Sequence, residues 1–256
     1  MSNESKKIEE LANKKGVTSK TFKDINFLLA KFKYHVNNFE KIYPEFIRTH
    51  GEIGIQKAIE LLKQTETITY AKSGTFNNAQ RKMQVNIHSQ IIHPLFFELD
   101  ILMIDARRIV EYFIKFIADL SDEKPPEKMH SFFEGLENKS KKQSKFIKKL
   151  VKQDKDYVES LKREWKEWIN ELSDYRSKSI HKSVERMMDC TVTVYWNQGS
   201  NIENPDKTEM SIIKFHEADI IVYINNLWKN MSRFIKDGSN FILKIFSPVE
   251  PGEYFH

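Results

Sequence analysis

Cys190 is the single cysteine in 256 residues. No intrachain disulfide can form and no cysteine-based zinc site can be assembled, so a core must hold the fold. Glycine is also scarce: eight residues, none clustered, which removes a phosphate-cradling loop and a dinucleotide fingerprint. No His-Glu-x-x-His occurs, and His88 and His93, five positions apart, diverge by about 140° on a helix. No metal and no cofactor are expected. A long apolar run is missing as well. The most apolar stretch, 91–116, is interrupted by Glu98, Asp100, Asp105, Arg107, Arg108 and Glu111, which excludes a membrane span. Met1 to Lys7 carry no apolar segment of the signal-peptide kind. The expectation is a cytoplasmic protein with no membrane contact.

What is present is a globular balance: 40% hydrophobic and 30% charged residues, with a formal net charge of +5. The length suits one large domain or slightly more. Of 41 basic residues 8 are Arg, leaving 33 Lys.

Helical periodicity dominates. Phe22, Ile25, Leu29, Phe32, Val36, Phe39, Tyr43 and Phe46 are spaced by alternating threes and fours, one apolar stripe on a helix. Thr18 or Ser19 can cap its start, and His50 with Gly51 predicts its end. A shorter helix follows over 55–64. Residues 65–90, rich in Thr, Ser and Asn, read as loop or broken helix. Pro94 opens a second long helix, with Leu95, Leu99, Leu102, Ala106, Ile109, Phe113, Phe116 and Leu120 on its stripe, ended by Pro125 and Pro126. Its carboxylates fit a solvated face or partners for Arg107 and Arg108. A third helical stretch is predicted over 131–150. A fourth starts near Lys155 with Val158, Leu161, Trp165, Trp168, Leu172 and Tyr175. It runs on into Ile180, Val184 and Met187, either continuous or re-capped at Asp174.

The period then changes. The β-branched and aromatic run 191–196 and the run 211–215, separated by turn residues, predict one hairpin with a long loop. A last helix over 217–235 is expected to break at Asp237 and Gly238. The fold class is therefore mainly α: a multi-helix bundle with one small β-hairpin inserted near the C-terminal end.

Two segments carry chemistry. The stretch 138–152 holds seven lysines and no acid, with Phe146, Ile147, Leu150 and Val151 between them. It describes a basic amphipathic helix, with Lys142, Lys145 and Lys149 as candidate contacts to RNA phosphates; its plain alternative is a solvated lysine face. The other segment is 175–182: Tyr175, Arg176, Ser177, Lys178, Ser179, Ile180, His181 and Lys182. Its plain alternative is an ion pair of Arg176 with Glu171 or Asp174 beside a structural His181. Trp165 and Trp168 lie on the bundle-facing stripe and are expected in the core. Of Tyr195 and Trp196, alternating on a strand, one should face the core and the other can be an exposed aromatic contact.

The Arg-x4-His spacing of 176–181, on the run that follows the Trp-anchored helix, resembles the signature of the HEPN superfamily. The segment from Asp105 to Phe113 resembles an earlier bundle helix of such proteins. One departure is clear: Ser177 stands where the family most often has Asn, keeping a hydrogen-bonding group with shorter reach. The resemblance covers at most 90–245. It implies a division into an N-terminal helical extension, 1–88, packing on the core, and a HEPN-like bundle, 89–250, that includes the hairpin at 190–215. It also implies a metal-independent endoribonuclease of toxin, phage-defence or RNA-processing type, acting as a homodimer and open to an antitoxin or regulatory partner. In that reading His181 is general acid/base at the ribose 2′-OH or the leaving oxygen. Arg176 grips the scissile phosphate. Ser177 and Tyr175 support the site, and Lys178 and Lys182 contact RNA. The alternative is a non-catalytic helical module that binds a protein partner or nucleic acid.

Overall fold

The computed structural model describes residues 3–17, 19–70, 80–88, 94–137, 143–173, 189–197, 201–212 and 220–247. The fold is mainly α, a helical bundle with a small antiparallel sheet. The order is α1 (Asn3–Lys14), α2 (Ser19–Tyr70), β1 (Gln80–His88), α3 (Pro94–Leu120), α4 (Met129–Glu137), α5 (Lys145–Gln153), α6 (Lys155–Glu164), β2 (Asp189–Asn197), β3 (Lys207–Ile212) and α7 (Ile220–Phe246). Directly after α6 the helix widens into a π turn, Trp165–Ile169. Contacts divide the chain into two units that are each discontinuous in sequence. One comprises Met1–His35, Ile101–Lys178 and Asn226–His256; the other comprises Val36–Asp100 and Ser179–Asn225. Residue 88, placed above as a boundary, is the last residue of β1 and falls within the second unit.

The first unit has an aromatic core. Phe22 stacks on Phe116 at 5.2 Å between ring centroids, Tyr157 on Phe241 at 4.3 Å and Phe133 on Trp165 at 4.6 Å. The 95–120 stripe is buried throughout, with Leu102 to Leu120 in this unit and Leu95 and Leu99 in the second. Trp165 and Trp168 are buried too, as their spacing required. Asp105 departs from the solvated-face expectation. It is 1% exposed and its carboxylate lies 2.9 Å from the Lys31 ammonium, with Arg108 at 3.9 Å. Arg107 does pair with Glu111, at 2.8 Å.

The second unit pairs a helix with a sheet of order β1-β2-β3. The expected hairpin is present: Val192 stands opposite Met210 and Val194 opposite Thr208. Its connecting loop is hydrogen bonded at its base, where the Asn197 amide donates to the Asp206 carboxylate at 2.7 Å and the Asp206 amide to the Tyr195 carbonyl at 3.0 Å. The third strand corrects the loop reading of 65–90. Met83, Val85 and Ile87 alternate with Gln84 and Asn86 and pair with Val194, Val192 and Cys190. Val85, Val192, Val194 and Trp196 pack with Ala58, Ile59 and Leu62 of α2 in one apolar cluster.

Three expected helix ends also differ. The helix that was to stop at His50 and Gly51 runs unbroken through both, and through Pro44, to Tyr70. His50 is buried, its Nδ1 3.1 Å from the Phe46 carbonyl and its ring stacked on Phe46 at 4.0 Å. Burial holds its pKa below the ordinary histidine value, outweighing the carbonyl's opposite pull. Packing of this face offsets the cost of Gly51 and Gly54, about 1 kcal/mol each, and of Pro44, about 3 kcal/mol. The last helix likewise continues past Asp237 and Gly238 to Phe246. The 131–150 helix is instead two, α4 and α5. Ser144 caps α5 by accepting from the Ile147 amide at 3.2 Å. Asp154 ends α5 and caps α6, accepting from the Tyr157 amide at 3.0 Å.

Candidate functional site

Tyr175, Arg176, Ser177, Lys178, His181, Lys182 and Lys142 lie outside the described residues. The chain leading into the motif is described to Ser173 and is firmly held. Glu164 is 1% exposed and carries both oxygens in hydrogen bonds. Arg233 of α7 donates through Nε at 2.6 Å and through a terminal nitrogen at 3.0 Å, the fork geometry that arginine offers a carboxylate. The Trp168 indole donates from within the π turn at 2.5 Å, and Arg233 reaches on to Glu167 at 2.5 Å. Those carboxylates raise the Arg233 pKa further, hydrogen bonding to Glu164 contributing most. With its acceptors occupied by permanent donors, Glu164 is an anchor for the helix rather than a free base.

On α5 the lysines sort by environment. Phe146, Ile147 and Leu150 are buried and fix which way the helix faces. Lys149 is half-buried: its ammonium donates to the Ser121 carbonyl and lies 3.7 Å from Glu123. Lys145 is exposed, as are Lys148 and Lys152, which the sequence reading did not single out. At about 100° per residue, positions 145, 148 and 152 fall within roughly 60° of one another on the helix surface. That three-then-four spacing was visible in the sequence; what was not visible is that Lys149 is engaged elsewhere.

Two other polar regions differ in charge balance. An open cleft of about 750 Å³ lies between the α3–α4 connection, α4 and the start of α5. Its lysines 124, 128 and 145 are matched by glutamates 123, 127 and 134, with Lys124 3.6 Å from Glu127. On the sheet, Trp196 is the buried member of its pair with Tyr195, and its indole donates to the Ile202 carbonyl at 2.8 Å. Tyr195 is flanked across the register by Lys82 and Lys207, whose ammonium groups sit 5.5 and 5.6 Å from its ring centre. Its hydroxyl donates to Glu209 at 2.7 Å, which raises its pKa, and Glu209 also pairs with Lys207 at 2.5 Å. Glu209 thus offsets one of the two cations.

Among the described residues no group of three or more His, Cys, Asp or Glu is placed to hold a metal, and no helix is long and apolar enough to cross a membrane. No protein-family model, curated protein or solved structure matches the chain.

Proposed function

We propose that the protein is a HEPN-like, metal-independent endoribonuclease of the toxin, phage-defence or RNA-processing kind, working as a homodimer. The observation that carries the reading is the Arg176–His181 spacing in the sequence. Two features support it: the mainly α bundle, and the anchoring of the helix that precedes the motif by Glu164, Arg233 and Trp168. In this mechanism His181 removes the proton from a ribose 2′-OH or returns one to the leaving 5′-oxygen. Only histidine among side chains titrates near neutrality without help. The 2′-oxygen attacks the adjacent phosphorus, the P–O5′ bond breaks, and a 2′,3′-cyclic phosphate remains. Arg176 holds two phosphate oxygens and offsets the charge that builds on them.

The test is incubation of the purified protein with RNA in EDTA. Cleavage with 2′,3′-cyclic phosphate ends is expected, and DNA, which lacks the 2′-OH, stays intact. His181→Ala should lower the rate by roughly 10²–10⁴-fold. Arg176→Ala should do similar damage, and Arg176→Lys should not restore it, because lysine lacks the bidentate fork. Activity that survives in both alanine variants, or falls only in step with thermal unfolding, overturns the assignment. The second reading, a non-catalytic module, is favoured by one feature: the exposed lysines of α5 need no catalytic group to bind a polyanion.

A further inference from the structure

We propose that Lys145, Lys148 and Lys152 of α5 form a track for the phosphate backbone of single-stranded RNA; this deepens the ribonuclease reading and rests on it for the choice of RNA. The three side chains are exposed. They project opposite Phe146 and Leu150, which are buried, so the helix cannot roll the stripe away from solvent without losing its core contacts. From 145 to 152 the stripe extends about 10 Å, the rise of roughly three stacked nucleotides at ~3.4 Å each. α5 contains no acidic residue. The first acid after it, Asp154, is turned to the Tyr157 amide and to Lys244, 2.6 Å away.

Charge complementarity singles out this surface. The cleft at the start of α5 sets three glutamates against Lys124, Lys128 and the stripe's own Lys145, while Lys148 and Lys152 lie outside its lining; at Tyr195 a glutamate neutralises one of two lysines. Neither leaves a run of like charge for a polyanion. Lys149 lies on the same helix but is held by Ser121 and Glu123, so it stabilises the unit instead of meeting phosphate. The partner is thus recognised through spaced phosphates along one strand, by counterion release rather than by reading bases.

The experiment measures binding of a short 2′-O-methyl oligouridine, which lacks the free 2′-OH and resists cleavage, between ~50 and ~200 mM salt. Wild type is compared with Lys145→Gln/Lys148→Gln/Lys152→Gln and, separately, with Lys149→Gln. The triple variant should lose on the order of 100-fold in affinity near 0.1 M salt, and its log–log salt slope should fall by about 2, at ~0.7 per lost contact. Its melting temperature should stay within a degree or two of wild type. Lys149→Gln should show the opposite pattern, a lower melting temperature with an unchanged slope. A triple variant that binds with wild-type affinity and slope overturns the track while leaving the cleavage result standing. Stripe-dependent binding in a protein that never cleaves RNA supports the track and removes the ribonuclease reading. Stripe-dependent binding to phosphatidylserine vesicles with none to the oligonucleotide overturns the choice of RNA.

Discussion

In the first unit a helical glycine faces the far end of a phenylalanine ring; in the second, a helical glycine faces the branching carbon of a valine. A Cβ at Gly238 would lie 2.1 Å from Cε1 and 2.7 Å from Cζ of Phe113. A Cβ at Gly54 would lie 2.5 Å from Val192 Cβ itself and 2.5 and 2.7 Å from its two methyl groups. Both glycines let a helix approach closer than any other residue permits. They differ in what stands opposite: a long side chain with torsions to turn, or an atom one bond from the backbone of the central strand. The helical unit meets its glycine with a ring packed against another ring, whereas in the sheet unit one helix and one strand set each other's position where Gly54 meets Val192.

That difference orders the expected damage. Gly54→Ala should be the more severe, because α2 and β2 must separate and Val192 cannot swing aside. Overpacking of this kind costs roughly 1–3 kcal/mol, and we expect about 3 even after the gain in helix propensity. Urea unfolding measures it. Val192→Ala should not rescue the variant, since the Cβ at 2.5 Å remains. Full rescue by Val192→Ala would show that the methyl groups alone set the spacing and would erase the contrast.

Gly238→Ala should cost less, about 1–2 kcal/mol, although Phe113 is fully buried and packs edge-on against Phe234 at 5.6 Å. Here a second-site change should work. Phe113→Leu removes the ring's far atoms, so the double variant should unfold at higher urea than the sum of the two single losses predicts. Strict additivity would mean that the ring is not the obstacle.

The same contrast decides what could be read from the sequence. Stripes such as 95–120 and Val158 to Leu172 were legible because a helix with one buried face repeats its apolar residues at a fixed period. Breakers were misread for one reason. Gly238 looks like a stop signal, but its missing side chain is a packing requirement imposed by Phe113, distant in sequence. His50 and Gly51 likewise sit on a helix face stabilised by tertiary contacts. β1 was hidden because its exposed positions Lys82 and Gln84 are residue types common in loops, and its partners lie over a hundred residues away. At the candidate surface, sequence supplied the lysines and the Arg-x4-His spacing; only the fold separates Lys149, tied to Ser121, from Lys148 and Lys152. The motif residues 175–182 rest on sequence alone.

The smallest expected effect belongs to Asp154, which joins α5 to α6 within the helical unit. Its side chain is 8% exposed and lies 2.6 Å from the Lys244 ammonium. The hydrogen bond from Lys244, with that from the Tyr157 amide, holds its pKa below the ordinary aspartate value. A carboxylate whose pKa is lower in the folded than in the unfolded chain binds its proton more readily when unfolded. The stability it contributes is therefore complete above the unfolded value, about 3.9, and is lost as pH falls through the folded value. Asp154→Ala removes both cap and charge and should cost about 1 kcal/mol at pH 7. Asp154→Asn keeps a side chain of equal capping strength and should cost less, since Lys244 is solvent-exposed and the pair is screened. The Asn variant and wild type should converge as pH is lowered below about 4, while the Ala variant stays less stable than the Asn variant throughout. A gap between Asn variant and wild type that holds constant down to pH 3 would show that the Lys244 pair contributes nothing, leaving Asp154 as a cap alone.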